Sequence, residues 1–173
     1  LVGSEMCIRD RAYSHHFLYG IDVSAVRYFT VYGPAGRPDM CIFRFIKWID
    51  EGTPIELFGD GTQSRDFTFV DDLARGTIAA LRPTGYEIIN LGGGQQPVSL
   101  NKVIEKLESL LGKKAKITNL PFHKADVKET WADISKAKSM LDWEPTISLD
   151  AGLEQCVKWY RDNQPWASSI KLP

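Results

Sequence analysis

Apolar positions along this chain follow two periods, and the changes between them mark its elements. Residues 23–32 read VSAVRYFTVY, with Val23, Ala25, Phe29 and Val31 on one face of an extended segment and Val26, Tyr28 and Tyr32 on the other. A strand apolar on both faces predicts a central strand of a covered, parallel sheet, and Gly33-Pro34 ends it. Shorter strand patterns occupy residues 54–58, 66–70, 86–91 and 116–120. The clearest helix follows Ser99: Leu100, Val103, Ile104, Leu107, Leu110 and Leu111 keep the helical period, and Gly112 stops it. Residues 12–19 read as the tail of a helix closed by Gly20, and residues 43–51 as a helix stopped by Gly52. Asp71 or Asp72 is the expected cap of a helix through Leu81, ended by Pro83. Asp133 is the expected cap of a short helix through Leu141. Ser148 opens the last helix, with Leu149, Leu153, Cys156 and Tyr160 on one face and Pro165 beyond it. The alternation predicts an α/β fold with some α+β character.

Composition narrows the function classes. The chain has 173 residues, the size of about one domain, with 43% hydrophobic and 25% charged residues, as in globular proteins. Its 21 basic and 22 acidic residues give a net charge of −1, too even for a nucleic-acid footprint. No apolar run reaches the ~18–20 residues of a membrane span; residues 41–49 are interrupted by Arg44 and Lys47. Cys7, Cys41 and Cys156 form neither C-x-x-C nor a zinc spacing, which points to a reducing, cytoplasmic compartment. The first eleven residues, LVGSEMCIRDR, lack the apolar region of a secretory signal, and their pattern does not continue into residues 12–19. They are expected to be a non-native leader, or otherwise a frayed terminus, with residues 12–173 as the body.

Few residues announce chemistry by themselves. His15 and His16 diverge around a helix and do not chelate one metal easily, so they read as a surface helix end. Gly92-Gly93-Gly94 links a strand to the Ser99 helix and could cradle a phosphate, but it is not G-x-G-x-x-G and reads better as a permissive loop. The tryptophans at 48, 131, 143, 159 and 166 read as core anchors rather than a stacking platform.

Four segments in register go further. They read RYFTVYGPAGRPDM (27–40), GDGTQSRDFTFVDD (59–72), INLGGGQQPVSL (89–100) and DVKETWADISKAKSMLDWEP (126–145). Together the chain resembles the C-terminal half of an extended short-chain dehydrogenase/reductase, the NAD-dependent nucleotide-sugar epimerase/dehydratase family, over residues 12–166. The G-R-P-D-M string is most similar to the UDP-glucuronate 4-epimerase branch. The resemblance implies the C-terminal part of a doubly wound, Rossmann-like parallel sheet plus a small α/β substrate-binding domain. It implies NAD as cofactor, a UDP-sugar as substrate and a homodimeric parent enzyme. Residues 23–32 become a late strand of that sheet, whose ligands gather beyond the carboxyl ends of its strands. By motif position, Phe29 resembles a residue on the nicotinamide side of NAD, and Thr30 one that hydrogen-bonds the sugar. Arg65 resembles the arginine that pairs with the diphosphate, a role that suits a planar, permanently charged fork of donors. Leu57 and Phe58 resemble the residues that hold the pyrimidine, Asp126 the carboxylate that accepts from ribose hydroxyls, and Arg37 a residue on the side of the sugar's carboxylate.

Departures from the family pattern are also visible. Arg or Gln is usual three positions before Asp126, and here the chain reads His123-Lys124-Ala125-Asp126. Asp142 stands where the family prefers glycine; at a sharp helix end this predicts Asp142 at positive φ, with Trp143 turned back onto the helix. The family's Gly-rich dinucleotide fingerprint and Tyr-x-x-x-Lys pair do not occur in these residues, and neither Tyr13 nor Tyr19 has a lysine four positions on. The chain alone is therefore expected to lack turnover. Within the family, a UDP-glucuronate decarboxylase and a sugar-nucleotide 4,6-dehydratase are the alternative activities. Outside it, the alternatives are a stand-alone nucleotide-binding module and an inert fragment.

Overall fold

The computed structural model describes residues 2–122 and 126–172. In chain order the elements are α1 (Val2–Tyr19), β1 (Val23–Tyr28), β2 (Thr30–Tyr32), α2 (Cys41–Glu51), β3 (Ile55–Phe58), β4 (Ser64–Arg65), β5 (Phe67–Phe69), α3 (Val70–Ala79), β6 (Tyr86–Leu91), β7 (Val98–Ser99), α4 (Leu100–Leu111), β8 (Ile117–Leu120), α5 (Ser135–Leu141), α6 (Leu149–Asp162) and α7 (Gln164–Ala167). Among the described residues, β1–β6, β2–β5 and β3–β8 pair in parallel, and β4–β7 pair antiparallel. The mixed α/β class with parallel strands is as the sequence predicts.

The predicted strand over residues 23–32 is two strands, not one. Its first part pairs with β6 from Val23↔Tyr86 to Tyr28↔Leu91, and its second pairs with β5 from Thr30↔Phe67 to Tyr32↔Phe69. The change of partner at Phe29 has a local cause. Beyond Leu91 the β6 chain turns into Gly92-Gly93-Gly94, so the first ladder ends there and the chain takes up β5 instead. The expectation that this strand is central in its sheet is also corrected: β1 pairs only with β6 among the described residues. α1 packs onto β1 and β6 through Tyr13, whose ring meets Tyr86 edge-on at 5.1 Å, and Tyr86 Oη donates to the Arg9 carbonyl at 3.2 Å. The helix runs through positions 11 and 12 without a break.

Two apolar cores hold these pairs. One joins β2, β3 and β5 to α2, α4 and α6 through residues such as Ile46, Leu107, Phe69 and Leu153; the other joins β6 to α5 and Trp143. Ser99 and Ser148 cap α4 and α6, accepting from the Lys102 and Ala151 N–H groups at 3.3 and 3.2 Å. The expected Asp133 cap is shifted by one residue: Ile134 takes the cap position of α5, and the Asp133 carboxylate before it accepts from the Ser135 N–H at 2.9 Å. The expected Asp71/Asp72 cap is not formed. Phe69 takes the cap position, with no side-chain bond, and both aspartates lie in the first turn of α3. Helix α2 starts at Cys41, two residues before its predicted start. Pro165 lies beyond α6, as expected, but the Ser148 helix is not the last one: Pro165 sits in the first turn of the short α7. Trp143 is buried, whereas Trp131 and Trp166 are exposed, so the expectation of five core anchors is corrected for these two.

Candidate functional site

The site is built where strands end. Phe29 follows the last residue of β1, half-buried, beside Gly92, which follows the last residue of β6. A Cβ on Gly92 would lie 2.3 Å from the Ala132 side chain and 3.1 Å from the Phe29 ring. Thr30 then opens β2, also half-buried. Beyond β2 the chain runs through Gly33 to Met40 into α2. Phe29, Val31, Gly33, Arg37, Met40 and Val70 border an open cleft there of about 290 Å³, apolar apart from Arg37. Arg37 is exposed and gives Asp39 a two-pronged ion pair that holds the Asp39 carboxyl below the usual carboxylate range.

Arg65 and Asp126 meet across 61 residues of sequence. Arg65 Nη2 donates to Asp126 Oδ1 at 2.5 Å, and Arg65 Nη1 donates to the Ser64 carbonyl at 2.8 Å. The side chains are only 17% and 30% exposed. Arg65 also lies close to the start of α2. Burial pushes the Cys41 thiol up to about 11, and the positive fields of Arg65 and Arg44 act against that shift. The residue before Arg65, Ser64, lines an open groove of about 580 Å³ together with Gly59, Asp60, Phe122, Lys128 and Glu129. Phe58, at the end of β3 next to Gly59, is 44% exposed. Leu57 is 3% exposed, with its side chain in the apolar core, so only its main chain can face a ligand. His123 and Lys124 lie outside the described residues.

One residue that shapes the site was not singled out from the sequence. Asp66, between Arg65 and β5, is buried; its Oδ2 accepts from the Ala132 N–H at 2.9 Å and the Gly94 N–H at 3.1 Å. Burial pushes its pKa up, opposed by the backbone N–H groups of Ala132, Gly94 and Gly93. A Cβ on Gly93 would lie 2.1 Å from Asp66 Oδ1, which explains the glycine there. The triple glycine is thus a close-approach loop wrapped on a carboxylate, in line with the permissive-loop reading. The signal for Asp66 was its place in R-D-F, an acid beside a buried strand. His15 and His16 stay apart from this site: His15 is exposed, and His16 Nδ1–H donates to the Ile21 carbonyl at 2.7 Å. Among the described residues, no cluster of His, Cys, Asp and Glu is arranged to hold a metal.

Comparison with known proteins bears on this geometry. The model of the NAD dependent epimerase/dehydratase family matches residues 6–92. The UDP-glucuronate 4-epimerase of Thermodesulfobacterium geofontis is 66% identical over 161 residues, which is 93% of this chain and 50% of that protein. The crystal structure of UDP-glucuronic acid 4-epimerase from Bacillus cereus in complex with UDP-glucuronic acid and NAD matches with a TM-score of 0.80 at 44% identity, covering 87% of this chain and 48% of that one. The UDP-glucose 4-epimerase of Thermotoga maritima, solved with UDP-glucose, matches with a TM-score of 0.84 at 30% identity, over 90% of this chain and 51% of that one. The chain spans about half the length of the relatives it matches.

Proposed function

Because the chain belongs to the NAD dependent epimerase/dehydratase family, we propose that it forms the nucleotide-gripping region of an NAD-dependent UDP-sugar 4-epimerase acting on UDP-glucuronate. The observation that carries this reading is the meeting of Arg65 and Asp126, far apart in sequence, with the adjoining Ser64 lining an open groove. Arg65 supplies a charged fork for the diphosphate, and Asp126 an acceptor for ribose hydroxyls. Phe58 and the Leu57 main chain flank the pyrimidine. Thr30 and Arg37 stand on the side of the sugar, where a guanidinium suits a carboxylate. The half-buried Phe29 ring, opening on an apolar cleft, fits the flat nicotinamide end of NAD. When bound, NAD supplies a hydride acceptor and donor for sugar C4. What these residues contribute is binding energy and orientation. No tyrosine of the 173 residues is followed four positions on by lysine, so acid–base work at the C4 hydroxyl falls to groups outside them.

The proposal includes a homodimeric parent enzyme in the cytoplasm. Exposed Phe17 and Leu18 on α1 support association, and the three free thiols support a reducing compartment. Among the described residues, no helix is long and apolar enough to cross a membrane. Titration calorimetry with UDP tests the reading. Arg65→Ala is expected to weaken UDP binding by about 1.5–3 kcal/mol, the scale of a hydrogen bond to a charged group. An unchanged affinity would return Arg65 to being only the ion-pair partner of Asp126.

A further inference from the structure

We propose that Asp66 is a positioning residue for the sugar side of the site, tying the glycine loop after β6 to the Ala132 main chain so that Phe29 and Thr30 stand in place. The inference rests on the nicotinamide-side and sugar-side roles proposed for Phe29 and Thr30. Asp66 is 2% exposed, so it acts through other groups rather than on a ligand. It sits between Arg65 and Phe67, and Phe67 is the register partner of Thr30.

The main chain explains what the carboxylate does. Residues 128–130 run beside Ser64: the Ser64 N–H donates to the Lys128 carbonyl at 2.9 Å, and the Thr130 N–H donates to the Ser64 carbonyl at 3.3 Å. A continued parallel ladder would bring the Ala132 N–H to the Asp66 carbonyl. That N–H goes instead to the Asp66 side chain at 2.9 Å, and the same carboxylate oxygen accepts from the Gly94 N–H at 3.1 Å. One oxygen thus joins residues 94 and 132, and an aliphatic side chain would leave both N–H groups without this acceptor. The join reaches Phe29 through Gly92. A Cβ on Gly92 would lie 2.3 Å from the Ala132 side chain, 3.1 Å from the Phe29 ring and 3.3 Å from Asp66 Oδ2. Packing this close passes a shift of Ala132 or of the loop on to the ring, and Thr30 follows the ring in the chain. The Arg65–Asp126 pair, by contrast, adjoins the Ser64 ladder bonds, which do not involve the carboxylate. Loss of the Asp66 carboxylate therefore disturbs the sugar side and spares the nucleotide side.

The test is calorimetric titration of the 173-residue chain and its Asp66→Ala and Asp66→Asn variants with UDP and with UDP-glucuronate. The parent chain is expected to bind UDP-glucuronate more tightly than UDP. Asp66→Ala is expected to shrink that ratio by roughly three- to tenfold, the scale of one misplaced hydrogen bond, with UDP bound as in the parent. General loss of structure would lower both affinities together and leave the ratio alone. If Asp66→Ala does not fold by circular dichroism, Asp66→Asn carries the comparison, since it keeps one oxygen for Ala132 and Gly94 but turns an amide donor toward the Gly93 N–H. A ratio unchanged in the folded variant overturns the inference and leaves Asp66 a structural residue. A parent chain that binds UDP but gains nothing from the sugar also overturns it, while the nucleotide-gripping function stands. A parent chain that binds neither ligand overturns the proposed function and this inference with it.

Discussion

Asp72 and Asp142 show two ways in which one acidic side chain finishes a local structure. Asp72 is 1% exposed, yet its carboxylate accepts from the Thr146 and Ile147 N–H groups at 3.0 and 2.8 Å, from the Thr146 hydroxyl at 2.9 Å and from Arg75. Burial alone raises its pKa, but the bonds from Ile147, Arg75 and Thr146 outweigh burial and hold it below the usual carboxylate range. A folded-state pKa below the unfolded value of about 3.9 gives stability that is present above that pH and lost as pH falls through the folded value. Urea melts from pH 6 down to pH 2.5 should therefore show a loss of stability below about pH 4. This loss should be smaller in Asp72→Asn, which is itself destabilised by roughly 2–4 kcal/mol at neutral pH. Equal acid sensitivity in the two proteins would remove Asp72 from this account. Asp142 has φ 52° and ψ 42°, the left-handed conformation expected from the sharp end of α5, and the Trp143 N–H turns back to the Ala137 carbonyl at 3.4 Å. Asp142→Gly relieves strain of about 1–2 kcal/mol against about 0.4–1 kcal/mol of added unfolded-state entropy. A net gain of about 0–1.6 kcal/mol is expected from denaturant midpoints, and a clear loss would contradict it.

At the scale of elements, the first core depends on how closely α6 approaches β2 and β5. Gly152 permits that approach: a Cβ there would lie 2.1 Å from Tyr32 Oη and 2.8 Å from the Phe69 ring. Tyr32 meets Phe69 edge-on at 5.5 Å, so neither ring can retreat without disturbing the other. Gly152→Ala is expected to cost about 1–3 kcal/mol by overpacking, despite the better helix propensity of alanine. A melting temperature equal to or above the parent's would show that α6 can slide. The same approach positions Thr30 and the start of α2, because β2 leads directly into the loop that carries Arg37. Stability and site geometry are therefore coupled through one glycine.

At the scale of the whole molecule, β1 keeps an edge without a strand partner among the described residues. β1 pairs with β6 alone among the described residues, and α1 presents Phe17, Leu18 and Tyr19 to solvent. An unpaired edge next to exposed apolar side chains favours strand addition and association. The isolated 173-residue chain is expected to run as oligomers or aggregates in light scattering at micromolar concentration. A monodisperse monomer with a cooperative melt would argue that α1 shields the edge well enough.

Much of the fold was legible because its signals are short-range. The apolar period of α4, the serine caps at 99 and 148 and the glycine stops at 52 and 112 each act within a few residues, and all appear where the sequence places them. The positive φ of Asp142 belongs to the same class. Arg65 and Asp126 were visible as members of motifs, but nothing local says that they touch. That contact, like those of Asp72 with Thr146 and of Asp66 with Ala132, joins residues more than 60 positions apart. Such pairs are decided by which cores bring which loops together, and burial then turns a surface-type residue into a pinned carboxylate. The split of residues 23–32 at Phe29 has the same origin. Both halves have strand propensity, and only the neighbouring strands determine where one ladder ends and the next begins.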